Sequence, residues 1–149
     1  MRDRLEFDLG NRVLRLTAHP TAHSDNDLSV HDLRTDSLWL GDLLFTERLP
    51  VVDGSLKGWL AVMASLRGVT AERVIPGHGA PSSAWPAALD AQEQYLQALL
   101  EEVRTFIRDN RTMEEAVEGV GRSQSGRWLL YHDNHPRNVV TAFKELEWE

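Results

Sequence analysis

Apolar and polar residues alternate at the start of the chain. Leu5-Glu6-Phe7-Asp8-Leu9 has a period of two, Gly10-Asn11 supplies a turn, and Val13-Leu14-Arg15-Leu16 alternates again, which predicts a β-hairpin. Leu28-Ser29-Val30-His31-Asp32 and Ser37-Leu38-Trp39-Leu40 predict two further strands joined by the polar turn Leu33-Arg34-Thr35-Asp36. The period then changes. Asp53-Gly54-Ser55 offers a turn and an N-cap, after which Leu56, Trp59, Leu60, Met63 and Leu66 recur at helical spacing until Gly68. Arg73-Val74-Ile75 reads as a short buried strand, so strand, helix and strand in that order predict a crossover unit with the helix packed on the sheet.

Beyond residue 78 the pattern is helical. Ser82 or Ser83 is expected to cap a long helix with Pro86 near its start and Leu89, Leu96, Leu99, Val103, Phe106 and Ile107 as its apolar stripe. Thr112-Met113-Glu114-Glu115 has the form of a capping box opening a short helix, and Asn134 with Pro136 opens a last one carrying Val139, Val140, Phe143 and Leu146. No repeat, low-complexity tract or linker interrupts the chain, so residues 1–149 are expected to form a single α/β (α+β) domain. Alternation at Val13, Leu14, Leu16, Leu38 and Leu40 predicts a sheet face too apolar to remain wet, and therefore a partner for it.

Composition narrows the chemistry. The chain of 149 residues is 42% hydrophobic and 26% charged, long enough for a real core. Its net charge of −7 is spread along the sequence, with no basic stripe to neutralise phosphates, which argues against nucleic acid and against anionic membranes as partners. With no cysteine, a metal can be held only by imidazole and carboxylate. Met1-Arg2-Asp3-Arg4-Leu5-Glu6 has no apolar stretch of the kind a signal peptide needs.

Three side chains of metal-ligating type fall at the ends of strand-like stretches: His23, Asp42 and His78, the last in Pro76-Gly77-His78. Taken singly, each has an ordinary reading as a loop imidazole, a turn cap or a glycine-rich turn. Asp25-Asn26-Asp27 alternates oxygen ligands but lacks the glycine and terminal glutamate of a calcium loop, so a hydrogen-bonded turn is expected. His19 and the group His132-Asp133-Asn134-His135 read as loop or cap residues, and His31 as a surface imidazole. The five tryptophans read as core or interface anchors, with Lys57 and Trp59 near enough in sequence to approach a site mouth.

Taken together, Ala22-His23-Ser24-Asp25, Leu40-Gly41-Asp42-Leu43 and Ile75-Pro76-Gly77-His78-Gly79 resemble, in order and spacing, the last three metal-ligand motifs of the metallo-β-lactamase superfamily. The flanks Gly41 to Phe45 and Pro50 to Leu60, with the tail His135-Pro136-Arg137-Asn138 through Trp148-Glu149, are similar to the quinoprotein relay system zinc metallohydrolases, a periplasmic branch. The resemblance implies the second half of a four-layer αββα sandwich, a mixed β-sheet with helices on one face whose other face packs against the first half, and a site of two zinc ions. His23 would serve the first, Asp42 would bridge both, and His78 would serve the second, with Asp25 or Asp27 orienting His23. The His-x-His-x-Asp-His loop that opens the family's site does not occur in these 149 residues, which leaves each metal short of ligands.

The implied activity is zinc-dependent hydrolysis of an ester, thioester, amide or phosphoester, silent until an N-terminal half is supplied. The implied partner is that half or a second copy in a homodimer. The implied compartment is the periplasm, with the export signal outside these residues. Two other readings stay open: a catalytically silent half-domain that self-associates or binds a protein, and a one-metal module built from His23, Asp42 and His78. Nothing in the sequence names a substrate.

Overall fold

A computed structural model describes residues 4–82 and 84–149. Five strands, β1 (Arg4–Asp8), β2 (Val13–Ala18), β3 (Leu28–Asp32), β4 (Ser37–Phe45) and β5 (Arg73–His78), form one sheet in the order β1-β2-β3-β4-β5. The first three pairings are antiparallel and β4 pairs β5 in parallel. That last pairing requires a crossover, and α1 (Leu56–Leu66) makes it. The expected hairpin forms through Gly10 and Asn11, both at positive φ, as the tight turn between twisted strands demands.

Register assigns the two faces. One row crosses all five strands as Leu5, Leu16, Val30, Trp39 and Ile75, and the next row runs Phe7, Leu14 and Asp32. This is the uncovered face: Leu5, Phe7 and Trp39 are 52%, 47% and 51% exposed. The opposite row is Glu6, Arg15, His31, Leu38 and Val74, polar at the hairpin and apolar where the helices cover it. The expectation of an apolar open face is met, but partly by other residues. Val13, Leu38 and Leu40 lie on the helix side, because partners in register share a face and residues one apart do not.

The helices α2 (Asp90–Arg108), α3 (Met113–Gly119) and α4 (Tyr131–Leu146) follow β5. Thr112 caps α3 in a complete capping box with Glu115, and Ser55 caps α1 by accepting from the Gly58 amide. The start of α2 differs from expectation: a 3-10 turn, Ala87–Leu89, leads into it, Ser82 instead bridges back to Val74, and Ser83 lies outside the described residues, as do Met1 to Asp3. The last helix begins three residues earlier than expected, at Tyr131, and accommodates Pro136 within it. Among the described residues no helix is long and apolar enough to cross a membrane.

That shift of α4 changes the role of His135, which is not a loop residue. It is 3% exposed, stacks on Tyr131 with ring centroids 4.4 Å apart, and accepts from the Tyr95 hydroxyl at 3.0 Å through Nδ1 while Nε2 donates to the Val120 carbonyl at 2.9 Å. Both ring nitrogens are thus committed in the neutral form. Burial pushes its pKa below the ordinary histidine value, against the smaller opposing pull of the Val120 carbonyl. A base whose folded pKa is depressed is stable when neutral, so its contribution is present above the unfolded pKa of about 6.5 and is lost as pH falls below it. Denaturant unfolding followed from pH 7.5 to 5 is expected to show declining stability, with the His135 imidazole titrating by NMR below about 6.5; titration at or above that value would mean the ring is open to water.

Candidate metal centre

Sheet topology brings the three sequence-predicted residues to one edge. Two antiparallel steps make β2 parallel to β4, and β4 is parallel to β5, so the C-terminal ends of all three strands lie together. His23 sits in the loop leaving β2, Asp42 near the end of β4, and His78 is the last residue of β5. Loops at such strand ends are the usual place for ligands in crossover sheets. The register slips where Asp42 lies: Gly41 pairs with Pro76 and Phe45 with His78, so four steps along β4 match two along β5. The bulge turns Asp42 out of the ladder toward both histidines.

The Asp42 carboxylate is divided between two imidazoles. Its Oδ2 lies 3.7 Å from His23 Nε2 and its Oδ1 3.4 Å from His78 Nε2. Nδ1 of His23 is 2.7 Å from the Val51 carbonyl oxygen. A carbonyl can only accept, so Nδ1 carries the proton and the Nε2 lone pair of the neutral ring faces a carboxylate oxygen. In that form two acceptors face each other, an arrangement that a cation between them would satisfy. Two ligands about 2.0–2.1 Å from one tetrahedral ion sit ~3.3 Å apart, close to the separations found here. The residues therefore fit a metal, held between Asp42 and each histidine in turn.

The site has an apolar floor. Phe45 packs 4.6 Å from the His78 ring and 5.6 Å from the His23 ring, and Trp59 lies 5.3 Å from His23. Trp59 is fully buried, donating from Nε1 to the Leu43 carbonyl at 3.0 Å, so it supports the centre from beneath and does not reach a mouth. Lys57 points elsewhere, pairing with Glu149 at 2.7 Å. The His23 side chain is 13% exposed, whereas those of Asp42 and His78 are 46% and 43% exposed. The centre is walled on the His23 side and open on the other.

Close backbone approach explains the glycines of the motifs. A Cβ at Gly77 would stand 2.2 Å from Asp42 Oδ1 and 2.6 Å from the Gly41 carbonyl carbon, so Pro-Gly-His requires its glycine to make room for the carboxylate. A Cβ at Gly58 would stand 2.1 Å from the Thr21 carbonyl oxygen, against the loop that carries His23.

Several residues that hold the centre were not singled out for it in the sequence. Gln92, fully buried on α2, accepts from the Phe45 amide at 2.8 Å and donates to the Leu43 carbonyl at 2.9 Å, fixing the end of β4 beside Asp42. Its position between Leu89 and Leu96 in the apolar stripe was the available signal: a polar residue on a buried face needs a polar task. Glu145 on α4 accepts from Ser55 Oγ at 2.7 Å and the Leu56 amide at 2.7 Å, closing the N-terminus of α1. Asn138 on α4 bonds the backbone of Pro50 and Val52.

Other sequence expectations change in detail. His23 is oriented by Val51 and not by Asp25 or Asp27: Asp27 instead accepts from the Ser24 amide at 2.9 Å and Ser24 Oγ at 2.8 Å, shaping the loop, while Asp25 is exposed. His31 is not a surface imidazole; its side chain is 12% exposed and Nε2 lies 2.8 Å from Asp36 Oδ1. His19 lies 2.7 Å from Ser29 Oγ, with its pKa lowered by burial. Neither joins the centre. Among the described residues no group of three or more His, Asp or Glu side chains is disposed to hold one ion.

No family model and no curated protein matches the chain. Solved structures do. A metallo-β-lactamase family protein from Thermus thermophilus superposes on 99% of the chain with a TM-score of 0.71 at 19% identity. The chain has a metallo-β-lactamase-like fold. The stereoselective inverting sec-alkylsulfatase Pisa1 from Pseudomonas sp. matches 97% with a TM-score of 0.75 at 15% identity, and a metallo-β-lactamase from Pontibacter korlensis matches 65% with a TM-score of 0.56 at 24% identity. The chain spans less than half of each: 47% of the Thermus protein, 25% of the sulfatase and 47% of the Pontibacter protein. It thus carries part of a metallo-β-lactamase-type fold.

The cradle at Gly77 can be tested directly. Gly77→Ala is expected to displace the Asp42 carboxylate or the Gly41 backbone at a cost of about 1–3 kcal/mol by chemical denaturation, with NMR shift changes centred on Asp42 and His78. Gly126→Ala, where a Cβ would meet nothing within 4 Å, is the control and should be nearly neutral. Equal effects of the two would remove the steric argument.

Proposed function

We propose that the chain is one half of a zinc-dependent hydrolase of the metallo-β-lactamase superfamily, in which His23 serves one zinc ion, His78 the other and Asp42 both. The reading is carried by the division of the Asp42 carboxylate, Oδ2 toward His23 at 3.7 Å and Oδ1 toward His78 at 3.4 Å. A donor set of imidazole and carboxylate without thiolate suits zinc. Bound zinc would supply a water activated at neutral pH for attack on an ester, thioester, amide or phosphoester. The chain's own part is to fix the two imidazoles and the shared carboxylate on rigid strand ends. The half-exposed side of the centre is where a His-x-His-x-Asp-His loop, from the same polypeptide or from a partner, completes both ion sites. Kinship with the quinoprotein relay system metallohydrolases, and with it a periplasmic location, belongs to the same proposal.

The chain alone is expected to bind zinc weakly and to hydrolyse generic esters or lactams negligibly, because positioning and activation both need the complete ligand set. Adding a polypeptide that carries the loop should restore zinc-dependent turnover, and His23→Ala or Asp42→Ala should weaken zinc uptake in calorimetric titration. Tight binding of two equivalents by the chain alone, or uptake indifferent to both substitutions, would overturn the assignment.

The open sheet face belongs to the same reading as the surface that the complementary half covers. One apolar residue from every strand lies on it, in the row from Leu5 to Ile75. Without that half, two copies are expected to pair through the face as a homodimer, an arrangement that needs only a self-complementary patch. Sedimentation equilibrium should find a dimer that Phe7→Lys with Trp39→Lys converts to monomer. A soluble monomer at every concentration would show that the face needs no cover.

A further inference from the structure

We propose that Asn138 is a positioning residue for the metal centre, acting through the peptide of Val51 to fix which nitrogen of His23 faces Asp42. The inference rests on the proposed role of His23 as a zinc ligand. Asn138 is fully buried on α4. Its Oδ1 accepts from the Val52 amide at 2.9 Å and its Nδ2 donates to the Pro50 carbonyl at 2.7 Å. An amide can only donate and a carbonyl only accept, so the two partners fix the orientation of the carboxamide. Asn138 thus pairs with residues 50 and 52 as a neighbouring strand would.

In an extended segment the carbonyl of one residue and the N–H two residues later project to one side, and the carbonyl between them projects to the other. Holding Pro50 and Val52 therefore turns the Val51 carbonyl away from α4 and toward His23, whose Nδ1 lies 2.7 Å from it. The carboxamide is itself prevented from turning. Nδ2 also donates to the Tyr95 hydroxyl at 2.9 Å, which passes its proton to His135 Nδ1 at 3.0 Å, and His135 Nε2 ends the series on the Val120 carbonyl at 2.9 Å. Every member has one direction of donation available, and the direction is set by a backbone carbonyl at each end.

A residue that merely stabilised α4 against the loop would leave the His23 ring indifferent to its loss. A positioning residue would not. Released from Asn138, the Val51 carbonyl loses its aim, Nδ1 loses its acceptor, and neutral His23 reverts to the Nε2–H form that imidazole side chains favour in water, which turns an N–H toward Asp42 where a lone pair is needed.

The test uses the full chain, metal-free and with zinc alone as probe. In Asn138→Leu, nitrogen NMR of His23 at a pH where the ring is neutral should show conversion from Nδ1–H to Nε2–H, and zinc affinity should fall about 10–100-fold, the usual loss when the group orienting a ligand histidine is removed. Val103→Ala, a buried truncation in α2, should lower the thermal midpoint with neither effect. If Asn138→Leu fails to fold, Asn138→Asp, which keeps the acceptor for Val52 but sets a carboxylate against the Pro50 carbonyl, is read in the same way. Unchanged His23 tautomer and zinc affinity in a folded Asn138 variant would overturn the proposal. Zinc affinity unchanged in His23→Ala would instead overturn the ligand assignment beneath it, so the two failures are distinguishable.

Discussion

Val51 gives the centre only a carbonyl oxygen, yet that oxygen decides which nitrogen of His23 faces Asp42. At 2.7 Å from His23 Nδ1 that oxygen can do nothing but accept, so the ring must donate there and must present its other nitrogen to Asp42. Asp42 can then be shared between His23 and His78 because its own position is dictated from two sides. The bulge in β4 turns it outward, and the missing side chain at Gly77 leaves a space that its carboxylate fills. His23 is thereby oriented by a backbone carbonyl, and Asp42 is placed by the bulge and by the room that Gly77 leaves.

Around this centre the helical layer works mainly on loops. Gln92 holds the end of β4, Asn138 holds residues 50 to 52, and Glu145 holds the N-terminus of α1. Burying such groups costs stability unless each finds its partner, and leaving a buried peptide group unpaired costs about 1–3 kcal/mol. Here the groups that need partners are backbone amides and carbonyls in irregular segments beside the strands, which no sheet ladder could satisfy. Apolar substitutes at these positions would fill the same volume but leave those groups orphaned. The polar residues on otherwise apolar helix stripes are thus the means by which the helices specify loop conformation as well as cover the sheet.

Much of this was legible in the sequence, with limits that have physical causes. Strand alternation and helical spacing located nearly every element, because each period reports which face is buried. The three strand-end residues were found because their types and flanks are distinctive. What failed was direction. Whether Leu38 and Leu16 share a face depends on register and not on their common alternation, and the answer, that they do not, came only with the pairing. His135 was misplaced because Tyr131, not Asn134, begins α4, and a three-residue error at a helix start moves a histidine from a cap into the core. Val51 could not have been found at all, since its contribution lies in the peptide group that every residue possesses.

The sheet also joins two requirements that are met by different rows of the same strands. Toward the helices, the rows grade from charged at the hairpin to apolar at β4 and β5, so the core lies beneath the strands that carry Asp42 and His78. On the other side an apolar residue from each strand leaves a surface that water alone covers poorly. A one-residue slip of β4 against its neighbours would exchange its two sets of side chains and at the same time turn Asp42 away from its place between the histidines. Burial of the core and assembly of the centre therefore select the same register. The centre is then built on a part of the fold that hydrophobic burial already holds in place, and its three side chains sit at or just beyond strand ends that the core fixes.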